Sequence, residues 1–506
     1  MDPIAITDQE ASADEAATAR PQLGGAQVRH HGLFLGLFAA GVALRALAVL
    51  AYRPALLFND SAHYLNLYDL GWHPGTTKPA GYVLLLLRPV LGLGDLSTVV
   101  AVQHLLGLLT AVVAYAILLR CGARRWIAAV ATAPILLDAY IVQVEHVVMP
   151  EALFHLLLVG ALGLLVWRRP PPLPVAAISG LALAAAVTVR NVGQILGVLA
   201  VLYVLLAGGS PRRRAAGAGV LTAAFVAPLI AYGLWFQHFH GEFRLTDQAS
   251  PLLYGRVAPF ADCAGLDLPE YQVALCPTVP REVRPGPGMY VHASTSPIAD
   301  YEPPAGMDRG AVIKDFALRV IRHQPLDYLR AVASDFTWGF VWEKANKPGN
   351  PAPVERWQFQ VAFPTFFSDT AGFMRQYDDE RPSVNLGPAR FLRAYQLTIG
   401  YTRGPVVLAA LVAGMLGALG VGRARRSGLQ AACLLWTLVP VGLLLVPAAV
   451  FEFTWRYQLP GIVLLPIAGA LGVTAMTRAT NGSPVVPGDI ADRQRTAVIP
   501  QADEAE

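Results

Sequence analysis

RRPPPLPVAAISGLALAAAVTVRNVGQILGVLAVLYVLLAGGSPRRR, residues 168–214, is the stretch on which the fold turns. Between its two arginine clusters lie two apolar runs, 174–189 and 193–207, separated by Arg190-Asn191. Read as one long helix, it would put Arg168/Arg169 and Arg212/Arg213/Arg214 on opposite sides of a membrane. Read as two short helices turning at Arg190-Asn191, it keeps both clusters on the cytoplasmic side, as the positive-inside rule requires. The second reading places Arg190 at the outer turn.

Working outward, a helix needs roughly 20 apolar residues to cross the hydrocarbon, fewer inside a bundle. Ten segments qualify: 32–52, 97–119, 126–144, 152–167, 174–189, 193–207, 215–236, 404–421, 429–451 and 459–476. With the N-terminus inside, Arg120/Arg124/Arg125 and Arg423/Arg425/Arg426 face the cytoplasm too. The apolar run 81–93 then lies as an interfacial or re-entrant helix on the outer face, since another crossing would break the parity. Composition agrees. Of 506 residues 54% are hydrophobic and only 15% charged, with a mean hydropathy of +0.45, where a soluble domain carries about 25% charge. The net charge of +4 gives no reason to expect nucleic acid.

The expected fold is therefore an all-α polytopic membrane protein of about ten transmembrane helices with a mostly helical extracytoplasmic domain. Its expected parts are a disordered cytoplasmic tail (1–31), a transmembrane core (32–236) with a long first outer loop (53–96), an extracytoplasmic domain (237–403), C-terminal transmembrane helices (404–476) and a second disordered tail (477–506). The first apolar run follows a long polar tail and lacks a cleavage site, so it does not read as a signal peptide. In the external segment, 308–323 and 325–342 have helical periodicity, with Pro325 suited to a first turn. The Pro/Gly-rich stretches 277–306 and 345–355 read as loops. Cys263 and Cys276 form the disulfide candidate there, favoured over two free thiols. Cys121 and Cys433 fall near the cytoplasmic side.

The chemistry-bearing residues collect at the outer rim. The first loop begins FNDSAHYLNLYDLGWHPGTTKPAGY (58–82) and carries Asp60, His63, Tyr64, Asp69, His73 and Lys78. If 59–68 is helical, Asp60, His63 and Tyr64 share a face. Asp60 there could take a proton from an acceptor hydroxyl; it reads equally as a helix N-cap. Glu151 opens the fourth span, Arg190 ends the fifth and Arg456 opens the tenth. Rim arginines suit a lipid phosphate, because the planar fork binds two oxygens. The plain alternative is that Glu151 pairs with Arg190 or Arg456, or that the arginines snorkel to headgroups. Arg45, within the first span, reaches either the same rim or a neighbouring carbonyl. His104 reads as a buried hydrogen-bonding residue. His63, His73, His146, His155, Glu145 and Glu151 have no zinc spacing, so no protein-bound metal is expected; a divalent cation between a carboxylate and a donor phosphate would leave no mark in the sequence. Trp338, Trp342, Trp357, Phe359, Phe363, Phe366 and Phe367 read as core or interface belt before sugar-stacking platforms, and 375–381 (RQYDDER) as a solvated face. Nucleotide-binding and hydrolase signatures are absent, which argues against an ATP-driven pump or a soluble-type hydrolase.

Taken in order, Asp60-Ser-Ala-His-Tyr64, Lys78-Pro-Ala-Gly-Tyr82, Pro150-Glu151, Thr188-Val-Arg190, Arg456-Tyr457 with Pro460, and IRHQPLDYL (321–329) resemble the GT-C superfamily of integral membrane glycosyltransferases, particularly the protein O-mannosyltransferase and aminoarabinose transferase branch. The resemblance spans most of residues 32–476. It implies a polyprenyl-phosphate sugar donor and a lipid, glycan or protein acceptor on the outer face of a bacterial inner membrane. It also implies Asp60 as catalytic base, Arg190, Arg456 and Lys78 on the donor phosphate, and His63, Tyr64, Asp69, Glu151 and Tyr457 around the substrate. One departure stands out. Many members carry two adjacent acids in this loop, whereas Asp60 lies between Asn59 and Ser61, leaving Asp69 to supply a second. A transporter or flippase, or a non-catalytic glycan- or lipid-binding protein, are the competing functions.

Overall fold

The computed structural model describes residues 30–348, 353–364 and 369–478. The tails fall almost wholly outside these, as do Phe366 and Phe367. The chain is an all-α polytopic membrane protein. In order come α1 (Gly32–Ala51), α2 (Asn59–Asp69), a π-helical turn (Val83–Leu87) running into α3 (Arg88–Leu91), α4 (Leu96–Arg120), α5 (Arg125–Leu137), α6 (Ala139–Glu145), α7 (Glu151–Trp167), α8 (Leu173–Val189), α9 (Ile195–Leu206) and α10 (Pro211–His240). The segment expected outside the membrane, called the external segment below, follows with α11 (Ala249–Val257), α12 (Pro287–His292), α13 (Arg309–His323), α14 (Pro325–Trp338), α15 (Thr370–Met374) and α16 (Leu386–Thr398); α17 (Gly404–Ala418), α18 (Gln430–Val450) and α19 (Trp455–Thr477) complete the bundle.

Each of the ten apolar segments is helical, but they are not alike. Among the described residues five helices are long and apolar enough to cross a membrane, and a sixth span results if α5 and α6 are joined across their 51° bend; α7, α8, α9 and α17 are shorter. The bend lies at Asp138, whose carboxylate accepts the Tyr140 N–H at 2.9 Å and the Thr402 N–H at 2.7 Å. A side chain that caps a new helix start competes with continuing the old one, and Pro134 weakens the preceding turn.

The stretch between the two arginine clusters folds as two short helices. α8 ends at Val189, Arg190 adopts an extended backbone, and a 3-10 turn (Asn191–Gln194) starts α9. α9 returns to the end where α8 began: the Tyr203 hydroxyl donates to the Leu165 carbonyl at 3.2 Å, and Gly209 approaches the Pro170 ring. Small residues let helices close elsewhere in the bundle. A Cβ on Gly472 of α19 would stand 2.0 Å from the Ala413 carbonyl oxygen of α17, the close approach that apolar helices use when water supplies no drive to associate.

The external segment is not one packing unit. Tyr254, Val257, Tyr290, Ile313, Phe316 and Val320 form a core of their own, whereas Val354, Trp357, Phe359, Met374 and Leu392 belong to the bundle's core. A two-residue antiparallel pairing of β1 (Tyr52–Arg53) with β2 (Ser383–Val384) ties the second half to the end of α1. Cys263 and Cys276 are joined by a disulfide within the first half. Three expectations are corrected in detail. The second external helix stops at Trp338, where Gly339 follows. The stretch 277–306 contains α12 and a 3-10 turn (Arg281–Val283). Asp378 is buried rather than solvated, accepting the Ser97 N–H at 3.3 Å and so pinning 375–381 to the start of α4.

Candidate active site

Four elements distant in sequence deliver charged groups to one point. Pro150 places Glu151 as the first residue of α7, and Arg190 sits where α8 stops. The Thr454 hydroxyl caps α19 by accepting the Arg456 N–H at 3.2 Å, which fixes Arg456 in the first turn. Asp60 lies in the first turn of α2; the cap there is the Phe58 position, whose N–H donates to Ser61 Oγ at 2.9 Å. Asp60 is thus not the N-cap, and its carboxylate is available to the cluster.

The contacts form a chain. Lys78 Nζ lies 3.1 Å from Asp60 Oδ1 and Arg456 Nη1 2.5 Å from Asp60 Oδ2. Arg456 Nε donates to Glu151 Oε1, and Arg190 Nη1 lies 3.2 Å from the same oxygen. Glu151, Arg190 and Arg456 are buried. Glu151 therefore pairs with both arginines, not with one. Burial pushes the Asp60 carboxyl up, but the Lys78 ammonium and Arg456 guanidinium, by charge and hydrogen bond, outweigh it and hold the group well below the usual carboxylate range. At His63, partial desolvation and then the Lys78 charge push the imidazole down. Lys78, Arg190 and Arg456 face two carboxylates, an excess of one positive charge, with both arginines buried and Lys78 partly exposed.

Arg190 holds that excess least tightly. Its Nη1 is within ion-pair distance of Glu151 yet makes no aligned hydrogen bond, and Glu151 Oε2 likewise has none. The guanidinium is instead held by the rings of Phe154 (5.3 Å) and Tyr457 (5.8 Å), which position a cation without using its N–H groups.

A buried polar scaffold supports the cluster from below. Gln103 donates to the carbonyls of Glu145 (2.9 Å) and Val147 (2.8 Å) and accepts from the Tyr82 hydroxyl (2.6 Å) and the Met149 N–H (3.3 Å), fixing the turn that leads into Glu151. Tyr82 packs edge-on against Tyr64 at 5.0 Å, directly under Asp60's helix. Arg45 belongs to this scaffold, paired with Glu145 at 2.8 Å and with the Leu136 and Ile135 carbonyls. His104 joins Glu145 and His146, each at 3.0 Å. From above, the external segment grips α19 on either side of Arg456: Trp455 Nε1 donates to the Ala345 carbonyl at 3.0 Å, and Gln458 bonds both the Gly339 carbonyl and Lys344.

No family model matches the chain, and no curated protein does. Among solved structures it is similar to the S. cerevisiae protein O-mannosyltransferase Pmt1-Pmt2 complex bound to the sugar donor, at 16% identity over 48% of this chain and 38% of that one, with a TM-score of 0.34. It is similar to the Archaeoglobus fulgidus oligosaccharyltransferase in the apo form, at 14% identity over 88% and 51% with a TM-score of 0.43. It is also similar to ArnT from Cupriavidus metallidurans bound to undecaprenyl phosphate, at 16% identity over 93% and 81% with a TM-score of 0.31. These are GT-C glycosyltransferases. The chain spans 38% and 51% of the length of the first two.

The sequence-expected residues divide accordingly. Asp60, Lys78, Glu151, Arg190 and Arg456 meet, with Tyr64 and Tyr457 as walls and His63 at the edge. Asp69 does not join them. It lies nine residues along α2, about 13 Å at 1.5 Å per residue, and accepts from the Tyr377 hydroxyl at 2.5 Å. His73 stays with the Pro74 carbonyl and the His240 ring. Among the described residues no three His, Cys, Asp or Glu side chains gather as a metal site; between Asp60 and Glu151, where a divalent ion would bridge carboxylates, stands the Arg456 guanidinium. Sequence reading missed Phe154, which helical spacing puts on the face of Glu151; Trp357, read as core or belt, is in the core with its ring 5.9 Å from the Arg456 guanidinium. Sequence reading also missed Glu452.

Glu452 sits between α18 and α19 in a narrow cleft with Asp335, Leu444 and Tyr457, accepting the Gly288 N–H at 3.0 Å. Burial pushes its carboxyl up to about 7 against the pull of that N–H. The charges facing it are Asp335, itself paired with Arg256 and Lys347, and Arg256 and Arg356. A carboxyl raised on folding binds an extra proton in the folded state, so its stabilisation is complete below the unfolded value near 4.5 and is lost as pH rises through about 7. Glu452→Gln is therefore expected to flatten the fall in melting temperature between about pH 5 and 8. An unchanged slope in thermal melts of the purified protein would assign it elsewhere.

Proposed function

We propose that this chain is a glycosyltransferase that moves a sugar from a polyprenyl-phosphate donor to a hydroxyl-bearing lipid, glycan or protein at the outer face of a bacterial inner membrane, both termini being cytoplasmic. The observation that carries the reading is the buried cluster with one uncompensated positive charge and an under-bonded guanidinium, beside a carboxylate, at one end of an apolar bundle. A lipid-linked sugar phosphate is a phosphodiester with a single negative charge, and its tail holds it at that level. Charge and location both match.

The chemistry follows. The acceptor oxygen attacks the anomeric carbon as the bond from that carbon to the phosphate oxygen breaks, and Asp60 takes the acceptor's proton. The leaving lipid phosphate gains one negative charge in this step. Arg190, Arg456 and Lys78 stabilise that charge where it develops. Donor binding also prepares the base. A phosphate that draws on Lys78 and Arg456 loosens their hold on Asp60, which raises its basicity at the moment an acceptor is present. Attack from the side opposite the phosphate inverts the anomeric centre in one displacement. Tyr64, Tyr457 and His63 bound the space for the sugar.

The test is to supply purified protein in nanodiscs with polyprenyl-phosphate sugars carrying hexoses or pentoses, together with envelope lipid, glycan or protein fractions as hydroxyl-bearing acceptors, and to measure acceptor-dependent release of polyprenyl phosphate. Protein-dependent release from one donor class is the expected result. Movement of intact donor across the bilayer without cleavage would replace the enzyme by a carrier.

A further inference from the structure

At the end of the bundle away from this site, the C-terminus of α4, the α7–α8 connection, the start of α18 and the end of α19 enclose a cleft of about 250 Å³. Arg120, Arg168, Arg169 and Arg478 line it, with Trp167 and Leu429 as an apolar wall. The 17 residues of α7 separate it from Glu151 by about 25 Å. Arg169 is fixed in place, its Nη1 donating to the Gly428 carbonyl at 2.6 Å and its Nη2 lying 3.4 Å from Cys121 Sγ. Arg478 lies over Gly122, whose φ of 88° belongs to the left-handed region; a Cβ there would stand 3.4 Å from the guanidinium.

None of the four arginines pairs with a carboxylate among the described residues. The sequence shows why. Segments 96–137, 152–241, 381–451 and 453–488 contain no Asp or Glu, and every residue lining the cleft comes from them. A preference of arginine for one side of a membrane accounts for guanidinium groups spread over a surface. It does not account for four brought to one concavity with no counter-charge among the described residues, where Arg169 is half-buried and Arg120, Arg168 and Arg478, though exposed, repel one another. An anion among them removes that repulsion, and phosphate oxygens match the guanidinium fork. Trp167, 41% exposed, and Leu429 make one wall apolar, which a headgroup attached to acyl chains would use and a free ion would not.

We propose that this cleft binds the phosphate of an anionic phospholipid from the leaflet opposite the candidate active site. The shared chemistry is a phosphate group between guanidinium forks, and the source is a membrane lipid. The site is independent of the sugar-transfer reading and stands or falls separately from it.

Native mass spectrometry of the detergent-purified full chain, titrated with phosphatidylglycerol, phosphatidylcholine and inorganic phosphate, tests this. Phosphatidylglycerol is expected to bind at least tenfold more tightly than phosphatidylcholine. Arg120→Gln/Arg168→Gln/Arg478→Gln is expected to abolish that preference, while Arg212→Gln/Arg213→Gln/Arg214→Gln, with the same loss of charge at the same end, keeps it. Competition by millimolar inorganic phosphate would retain the phosphate cleft and assign its occupant to a free anion. Equal lipid binding by both triple variants, or equal binding of the two lipids, overturns the proposal. Should the first triple variant not purify, Arg168→Gln, whose side chain makes no described hydrogen bond, gives the same readout at about threefold.

Discussion

Asp60→Asn is expected to lower sugar transfer between a hundredfold and ten-thousandfold, the range that a positioned general base contributes, while the protein still inserts and purifies. The amide keeps an acceptor oxygen for Arg456 Nη1 or Lys78 Nζ, so the first turn of α2 keeps a reason to stay docked. It has no lone pair basic enough to take a hydroxyl proton. Donor binding should be kept or tightened, because removing the carboxylate frees two cations for the phosphate. Transfer kinetics with donor titration separate these effects: kcat collapses and the donor KM does not rise. A variant with unchanged kcat would remove Asp60 from the proton path. A variant with unchanged kcat and a raised KM would make it a mere spacer between Lys78 and Arg456. A second consequence concerns acid. Because the folded-state carboxyl is held below its unfolded value near 3.8, its pairing contributes stability that is complete above about pH 4 and disappears only in stronger acid. In the donor-free protein Asp60 therefore stays ionised at neutral and mildly acidic pH.

Much of this site was readable because polarity is costly where it occurs. An arginine interrupting an apolar run, as at Arg190, or opening one, as at Arg456, must have a partner. The placement of arginine clusters fixed which end of each helix these two occupy. Topology alone thus brought together groups as far apart in sequence as Asp60 and Arg456. What topology does not give is who touches whom within that end. Pairing of Glu151 with Arg190 or Arg456 stood as alternatives to a phosphate role, and the geometry has Glu151 on both while leaving Arg190 without an aligned hydrogen bond. Asp60 read equally as a cap, since a carboxylate at a helix start has one spacing for both duties; Ser61, two residues into the helix, takes the cap's bond instead. Asp69 looked available as a second acid because sequence proximity in a loop suggests spatial proximity. Once 59–69 winds as a helix, its two acids stand at opposite ends. The grip of Trp455, Gln458 and Lys344 on either side of Arg456 was out of reach for a different reason. It is made by Gly339, Lys344 and Ala345, more than 100 residues upstream, where the expected helix stops short and nothing in the pattern says which helix the chain beyond it covers.

That grip leads to the second large effect. Arg456 and Arg190 carry the same charge to the same carboxylate, yet their variants should differ in kind. Arg456 uses Nε on Glu151 and Nη1 on Asp60, so Arg456→Ala withdraws one of two counter-charges from each of two carboxylates, one fully buried. Breaking a buried pair this way costs about 3–5 kcal/mol, and the lower figure applies because Arg190 and Lys78 remain. Arg456→Lys keeps the charge but cannot span both partners, since one ammonium replaces a planar fork. Its stability should fall by no more than about 1–2 kcal/mol, while kcat/KM for transfer drops about a hundredfold to a thousandfold, as for loss of one preorganised donor to a developing anion. Arg190→Ala removes a guanidinium whose Nη1 makes no aligned hydrogen bond and leaves Glu151 its contact with Arg456. Stability should then fall by less than for Arg456→Ala, because only one carboxylate loses a counter-charge and it keeps Arg456, with the larger loss appearing as a raised donor KM. Denaturation midpoints measured beside donor kinetics for the three variants distinguish a pin from a ligand. If Arg190→Ala proves as destabilising as Arg456→Ala with donor use intact, the two arginines are equivalent struts between α7, α8 and α19, and the positive excess between them has another purpose than a phosphate.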